Sequence, residues 1–550
     1  NVTVTVTGNP LTQPTTSSVT VMGFNPMTTV VPQGNCAMSC MGTCVCLGVD
    51  LKDAPLAGLR GTVRVTVPAG AFVDAVGNAS MEQTADLQVT RVKWVRAQTR
   101  PTGSTFVAAP AVDALGNLYV GASNNTDNLG VLVSLRASDG ATRWQTVDAG
   151  AVQALAAATS TIATPPMTQA DVVYVTSNED NAGTKSGRLR GLRADTGTTS
   201  GLSGSTCYDG IRPMYSAPAL VIVGAGSAGN APQVAALGLF NTAVVDGNAC
   251  GYSPSTGNSN ATSPASATYS LPAVPAPAES VVNLVSNGTA HFSINNDFSV
   301  EQWSWAMSTA LASTGTLGRG GVGPTQTGLA FAASTLVTTQ TQSGTPREPL
   351  GLVGRMLMNA TYSTATGGFA KAGPAIVLPG VGANNFLLVS GATDGSNGSW
   401  LRQQAIAAAD TTAPTFTGAP GIPAMLPTRS ESLPTSPVYG DANQVYLVTR
   451  AGRLYVLDAT PSGLSYAWDA VLPSLTGEVL AHPTLDCNRG RGTTAPGVLY
   501  TVSSQGTVAA VVVDSRRLGA SPWPKWQRTA GNAGNTSPVP TDFPLNPGCN

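Results

Sequence analysis

Charge is scarce in this chain. Asp, Glu, Lys and Arg make up 10% of its 550 residues, against about 25% in an ordinary soluble domain. Lys and Arg number 28, Asp and Glu 29, for a net charge of −1. A nucleic-acid binder needs clustered basic residues for its phosphate contacts, so that class is excluded. Histidine is scarcer still: His291 and His482 are the two present. Two imidazoles leave little material for a Ser–His–Asp triad, and neither G-x-S-x-G nor H-E-x-x-H occurs. Both lie in strand-like runs and read as structural. No apolar run reaches the ~18 residues that a membrane-spanning helix requires. A signal-peptide pattern is also missing. The chain opens on the alternating "NVTVTVTG", so Asn1 is either a processed terminus or is preceded by further residues. A lipid anchor carried upstream stays open on this reading.

What is present is Gly, Ala, Thr, Ser and Val, punctuated by 39 Pro. This mixture favours short strands and turns and disfavours long helices. Eight cysteines occur. Cys36, Cys40, Cys44 and Cys46 cluster in "CAMSCMGTCVC", while Cys207, Cys250, Cys487 and Cys549 are dispersed. The cluster has no C-x-x-C pair and no neighbouring His, unlike an ordinary zinc site. The eight therefore read as disulfides, which implies an oxidising, extracytoplasmic location. The pairings expected are Cys207–Cys250 and Cys487–Cys549, with the cluster closed on itself.

A repeat runs through the chain. "GVLVSLRASDGATRW" begins at Gly130, "GRLRGLRADTGTTSG" at Gly187, "GRLYVLDATPSGLSYAW" at Gly452 and "GTVAAVVVDSRRLG" at Gly506. Apolar residues stand two and five places after the first Gly: Leu132 and Leu135, Leu189 and Leu192, Leu454 and Leu457, Val508 and Val511. Ala137, Ala194 and Ala459 stand seven places on, and a turn Gly follows. Before each copy lies another strand: "GNLYVGA", "DVVYVTS", "NQVYLVT" or "GVLYTVS". Strand, turn and strand make a hairpin. A third marker, a Pro among small or apolar residues, precedes the hairpins at Pro110, Pro165, Pro218, Pro272, Pro324, Pro374, Pro437 and Pro483. Its intervals of 55, 53, 54, 52, 50, 63 and 46 residues indicate radial repetition of four-stranded units. Trp144 and Trp468 follow the turns of their copies, Trp303 and Trp305 fall in a weaker copy, and Trp94, Trp523 and Trp526 flank the series. Trp94, Trp144, Trp303, Trp468 and Trp526 read as structural aromatics that fill wedges between sheets, each burying ~150–250 Å².

The pattern G-x-L-x-x-L-x-A-x-x-G followed by Trp resembles the PQQ-like, quinoprotein-type β-propeller repeat. The tail "PWPKWQRTAGNAGNTS" is similar to a W-P-x-x-x-R-x-x-x-N-x-G segment of bacterial secreted propellers and propeller lipoproteins. The resemblance spans about residues 91–535. It implies an all-β fold, an eight-bladed propeller with seven blades as the alternative, and a tail at 536–550. Residues 1–90 read as antiparallel strands, and "VPAGAFVDAVGN" resembles the end of a bacterial Ig-like domain, a small β-sandwich with the cysteine cluster as an inserted loop.

The quinoprotein resemblance implies a test for a quinone and calcium site. No adjacent Cys pair occurs, acidic residues are sparse, and no calcium-ligand set can be assigned, so no cofactor and no catalytic or metal residues are expected. "TDGSNGSW", from Thr393 to Trp400, reads as a plain turn without the closing carboxylate of a calcium loop. "TGTLGRGGVG" lacks a P-loop Lys. The eight Asn-x-Ser/Thr triplets, among them Asn124 and Asn535, read as loops. Gly251 to Ser280 reads as a long exposed excursion. The function that follows is a non-catalytic secreted or cell-surface scaffold, whose partners are other proteins of a surface or extracellular assembly. A quinone-dependent dehydrogenase and an envelope-biogenesis propeller lipoprotein are the alternatives.

Overall fold

A computed structural model describes residues 81–162 (except 125 and 148) and 435–549 (except 462, 492–493 and 537–542). Before 81, and between 163 and 434, it describes chiefly the strands. The chain divides into two compact units, Asn1–Val92 and Lys93–Asn550.

In the first unit the described strands form one antiparallel sheet. Val2–Thr7 lies between Ser17–Val21 and Arg60–Val67, and Gln83–Thr90 pairs with the far side of Arg60–Val67. Cys36, Cys40, Cys44 and Cys46 lie outside the described residues.

The second unit is a β-propeller. Its described strands form eight four-stranded sheets. In chain order seven of them cover 105–146, 151–209, 219–260, 284–316, 324–360, 369–407 and 438–471. The last joins Thr484–Asp486, Val498–Val502 and Thr507–Val512 to Val92–Ala97, a strand from before the first sheet. The ring is thus closed by pairing the two ends of the unit. Neighbouring sheets meet through their first strands. Thr105–Val112 touches Ala151–Ile162, and contact passes on through Ala219–Val223, Leu284–Ser286, Pro324–Ala332, Ile376–Pro379, Val438–Gly440 and Thr484–Asp486 back to Thr105–Val112. At the third sheet, Ala151–Ile162 makes its contact with the second strand, Gln233–Phe240. The sixth sheet is irregular: Phe369–Ala372 and Ile376–Pro379 share one row beside Asn385–Asp394.

The repeat residues make the core between sheets. Leu132, Leu135, Leu189, Leu192, Leu454, Leu457, Val508 and Val511 are all buried. One cluster packs Leu132 and Tyr119 of the first sheet on Val152, Leu155 and Val175 of the second. Another packs Tyr174 and Leu189 on Leu220 and Ala236. Period-2 alternation in each strand puts one apolar row on each face, and a blade wedged between two neighbours buries both.

Several sequence expectations change here. Pro165 lies outside the described residues, and the first strand of its sheet, Ala151–Ile162, begins and ends before it. Trp303 lies on Val300–Ser304, the third strand of its sheet, whereas Trp94, Trp144 and Trp468 lie on fourth strands. In the Thr393–Trp400 stretch, Thr393 and Asp394 end one strand and Gly398–Trp400 begin the next, with Asp394 paired to Gly398, while 395–397 lie outside the described residues. Gly251, Tyr252, Ser259 and Asn260 belong to the third sheet, and the rest of 251–280 lies outside the described residues.

Candidate functional site

Two constructions stand out in the propeller: the ties that join one blade to the next, and the hub.

The ties use a Trp and a Tyr from one sheet and an Ala carbonyl from the next. Trp94 Nε1 donates to Ala137 O at 3.1 Å, and Tyr500 donates to the same oxygen at 3.1 Å. One sheet on, Trp144 Nε1 donates to Ala194 O at 2.8 Å, with the Tyr119 hydroxyl 3.5 Å from that oxygen. The ring pairs match too, with centroids 5.9 Å apart for Trp94–Tyr500 and 5.8 Å for Tyr119–Trp144. Each indole lies on the turn Gly of the neighbouring repeat. A Cβ on Gly140 would sit 2.7 Å from Trp94, and one on Gly197 would sit 2.5 Å from Trp144. Both glycines also have φ near +70°, at 73° and 69°, which L side chains avoid. The G-x-L-x-x-L-x-A-x-x-G spacing therefore has a physical cause: its Ala supplies the acceptor and its last Gly the seat for the preceding Trp. Tyr174 donates to Val234 O at 3.1 Å, and Tyr446 bonds Ser515 Oγ at 2.9 Å, so further sheets share the tyrosine tie. Burial raises the pKa of Tyr119 and Tyr500, with Asp113 and Asp486 respectively adding to the effect, so both keep their donating proton.

The hub is filled by the chain itself. Residues 521–536 follow the last sheet and run around the inner wall. Six first strands each donate a backbone N–H to this segment: Val377 to Trp523 O (2.8 Å), Tyr439 to Pro524 O (2.7 Å), Val112 to Ala530 O (2.9 Å), Ala157 to Gly531 O (2.8 Å), Leu220 to Ala533 O (2.8 Å) and Ser286 to Gly534 O (2.8 Å). Thr484 Oγ1 also reaches Ala530 O at 3.4 Å, and Phe331 packs on Trp523 with centroids 5.8 Å apart. All eight sheets thereby touch the segment. Trp526 is 2% exposed and packs among Ala109, Ala154 and Ala217, with the His482 ring 4.9 Å away. Small residues on the first strands leave room for the indole. Trp526 is thus a hub residue, not a blade aromatic.

Most polar groups described in the hub are matched by the segment and the wall around it, while Asn535 Oδ1 is buried without a hydrogen-bond partner. Lys525 is fully buried, and its Nζ donates to Trp526 O (2.7 Å), Thr529 O (3.1 Å) and Asn532 Oδ1. Burial pushes its pKa well below that of free lysine, yet three oxygens satisfy the three donors of an ammonium. Asn532 Nδ2 donates to the carbonyls of Ala109, Pro110 and Leu155 at 3.0, 3.2 and 3.3 Å. Asn535 Nδ2 donates to Leu220 O at 2.6 Å. Asn535 is fully buried, outside the strands, and bridges to Ser286. His482 accepts the Ser436 N–H on Nδ1 at 2.8 Å, and burial followed by the Lys525 charge lowers its pKa to about 3. The imidazole is held neutral.

The far end of the tail is fastened as well. Ala530 N donates to Leu545 O at 2.7 Å, and Arg528 Nη1 donates to Asn535 O (2.8 Å) and Phe543 O (3.1 Å). Cys487 and Cys549 form a disulfide. Arg489 bonds Asp486 (2.9 Å), Ala114 O (3.0 Å), Gly548 O (3.0 Å) and Pro547 O (2.5 Å), joining the last sheet, the first sheet and the tail. Asp486, Cys487 and Cys549 are near enough to hold an ion. The disulfide, however, takes both sulfurs out of thiolate chemistry, and Asp486 is paired with Arg489. Cys207 and Cys250 lie on Cys207–Asp209 and Asn248–Tyr252, and the His291 imidazole and Trp303 indole, like these two thiols, lie outside the described side chains.

No family model and no curated protein matches the chain. Among solved structures it is similar to the WD40 domain of SCAP from fission yeast, at 9% identity and a TM-score of 0.42, covering 77% of this chain and 98% of that one. It is also similar to a β-propeller domain from Myceliophteria thermophila, at 10% identity and a TM-score of 0.35, covering 76% and 100%. A lectin from Burkholderia pseudomallei is similar at 13% identity and a TM-score of 0.39, covering 66% and 97%.

Proposed function

We propose that this chain is a non-catalytic, eight-bladed propeller with PQQ-like repeats, which works outside the cytoplasm as a scaffold for other proteins of a cell surface or extracellular assembly. The observation that carries the reading is the filled hub. The axis, where a quinone-dependent propeller would seat its cofactor, is packed with Trp526, Lys525, Asn532 and six backbone hydrogen bonds. Partners are left the loops on the two faces and the N-terminal unit. The eight sheets and the closing strand Val92–Ala97 support the blade count, and the Trp94–Gly140 and Trp144–Gly197 seats support the PQQ-like repeat. The Cys487–Cys549 bond supports an oxidising compartment. The Ig-like reading of the first unit is supported by its antiparallel sheet.

The test is ligand addition to the purified protein. Pyrroloquinoline quinone with calcium should leave the thermal midpoint and the quinone absorbance unchanged. A rise in the midpoint that follows quinone concentration, or dye reduction on adding an alcohol, would replace this reading with the dehydrogenase one.

A further inference from the structure

We propose that the hub is a peptide-binding site, and that residues 521–536 are its resident ligand. The argument goes beyond the scaffold role and does not depend on what the outer faces bind. A covalent connection that merely crosses a channel needs no register with the wall. This segment has one. Its acceptors Trp523, Pro524, Ala530, Gly531, Ala533 and Gly534 meet the sixth, seventh, first, second, third and fourth sheets in ring order, the eighth reaching Ala530 O through Thr484 Oγ1. The donors are main-chain N–H groups of first strands, fixed by sheet pairing and turned to the axis. Together they form a ring that recognises the carbonyls of a peptide backbone. Side chains add selectivity. The indole of Trp526 enters the pocket of Ala109, Ala154 and Ala217. The Asn532 amide reads three carbonyls of two neighbouring sheets. Gly531 passes so near the wall that a Cβ would lie 2.4 Å from Ala157 O. A backbone-reading ring, an indole pocket and a glycine checkpoint are the parts of a peptide site. While this segment stays, the axis is closed to any other ligand.

The test keeps all the residues of the full chain. A recognition sequence for a specific protease is inserted between Arg516 and Arg517, where the Arg517 side chain is 57% exposed. After cleavage the Cys487–Cys549 bond is reduced, so that no covalent link holds 517–550. The released piece should co-elute with the ring on gel filtration. Isotopically heavy synthetic peptide 517–550 should replace it over time, as read by native mass spectrometry. A heavy peptide carrying Gly531→Ala should replace it at least tenfold less well. Separation of the piece from the ring on cleavage and reduction, whether or not the ring stays folded, would overturn the proposal. So would failure of the unmodified heavy peptide to exchange in, or equal exchange of the Gly531→Ala peptide.

Discussion

At Trp144 one side chain joins two blades. Its ring covers Gly197 and its N–H reaches Ala194 O, so the position is sensitive on both partners. Gly197→Ala places a methyl into the indole and forces a left-handed φ on Ala, and should cost about 1–3 kcal/mol. Denaturant unfolding checks it, with exposed Gly490→Ala as a comparison, since that glycine shares the positive φ but has open space around it. The difference between the two variants isolates the indole contact. His482 gives a pH signature. Its folded pKa of about 3 lies below the 6.5 of a free imidazole. Between those values the unfolded chain binds a proton that the folded chain refuses, so stability falls as pH drops from about 6.5 towards 3. Unfolding midpoints at pH 7.5 and 4.5 should therefore fall further for the native chain than for His482→Gln. The Gly and Ala of the repeat were legible in sequence because their roles demand small residues at fixed offsets. The tyrosine ties were not. A Tyr in an alternating run satisfies strand propensity by itself, and its hydroxyl partner lies on the next blade: Tyr500 and Ala137 are 363 residues apart.

At the scale of elements, the first strands have two faces to serve and an axis as well. Their alanines look like filler in a Gly/Ala-rich chain, yet Ala109, Ala154 and Ala217 shape the space taken by Trp526. Ala154→Leu should overpack that space and cost about 1–3 kcal/mol. In a Trp526→Ala background the same change should cost less, because the added side chain then fills a cavity. A double-mutant cycle on thermal unfolding reads the coupling, and simple additivity would show that the two do not meet. The Pro marker was legible as punctuation near these strands: Pro218, Pro437 and Pro483 directly precede or lie one residue before Ala219–Val223, Val438–Gly440 and Thr484–Asp486. It drifted at Pro165 because the second sheet opens with a 12-residue strand. The closing strand was legible only as Trp94 standing ahead of the first copy. Nothing local to Val92–Ala97 says that its partner is Thr507–Val512.

For the whole molecule, stability depends on fastening both ends of the ring. The Cys487–Cys549 bond closes a loop with a sequence separation of 62 residues. Its removal in a Cys487→Ser, Cys549→Ser chain should cost about 2–4 kcal/mol, measured as a lower denaturant midpoint with the slope unchanged. A midpoint equal to that of the parent would show that Arg489 and the hub bonds suffice. The even spacing of the markers made radial repetition legible, since blades of similar size recur at similar intervals. The role of 521–536 was hidden, because it binds through main-chain carbonyls that no side-chain pattern reports. Its place in the chain has a consequence for biosynthesis. Every blade leaves the ribosome before the piece that occupies the axis, and the strand Val92–Ala97, made before the first sheet, waits for the last one. A nascent chain can stack its hairpins early, but its hollow centre can be filled only once residues 521–536 have been made. A premature stop after Val512 would then spare each sheet in sequence and still yield a ring that proteases should recognise as unfinished.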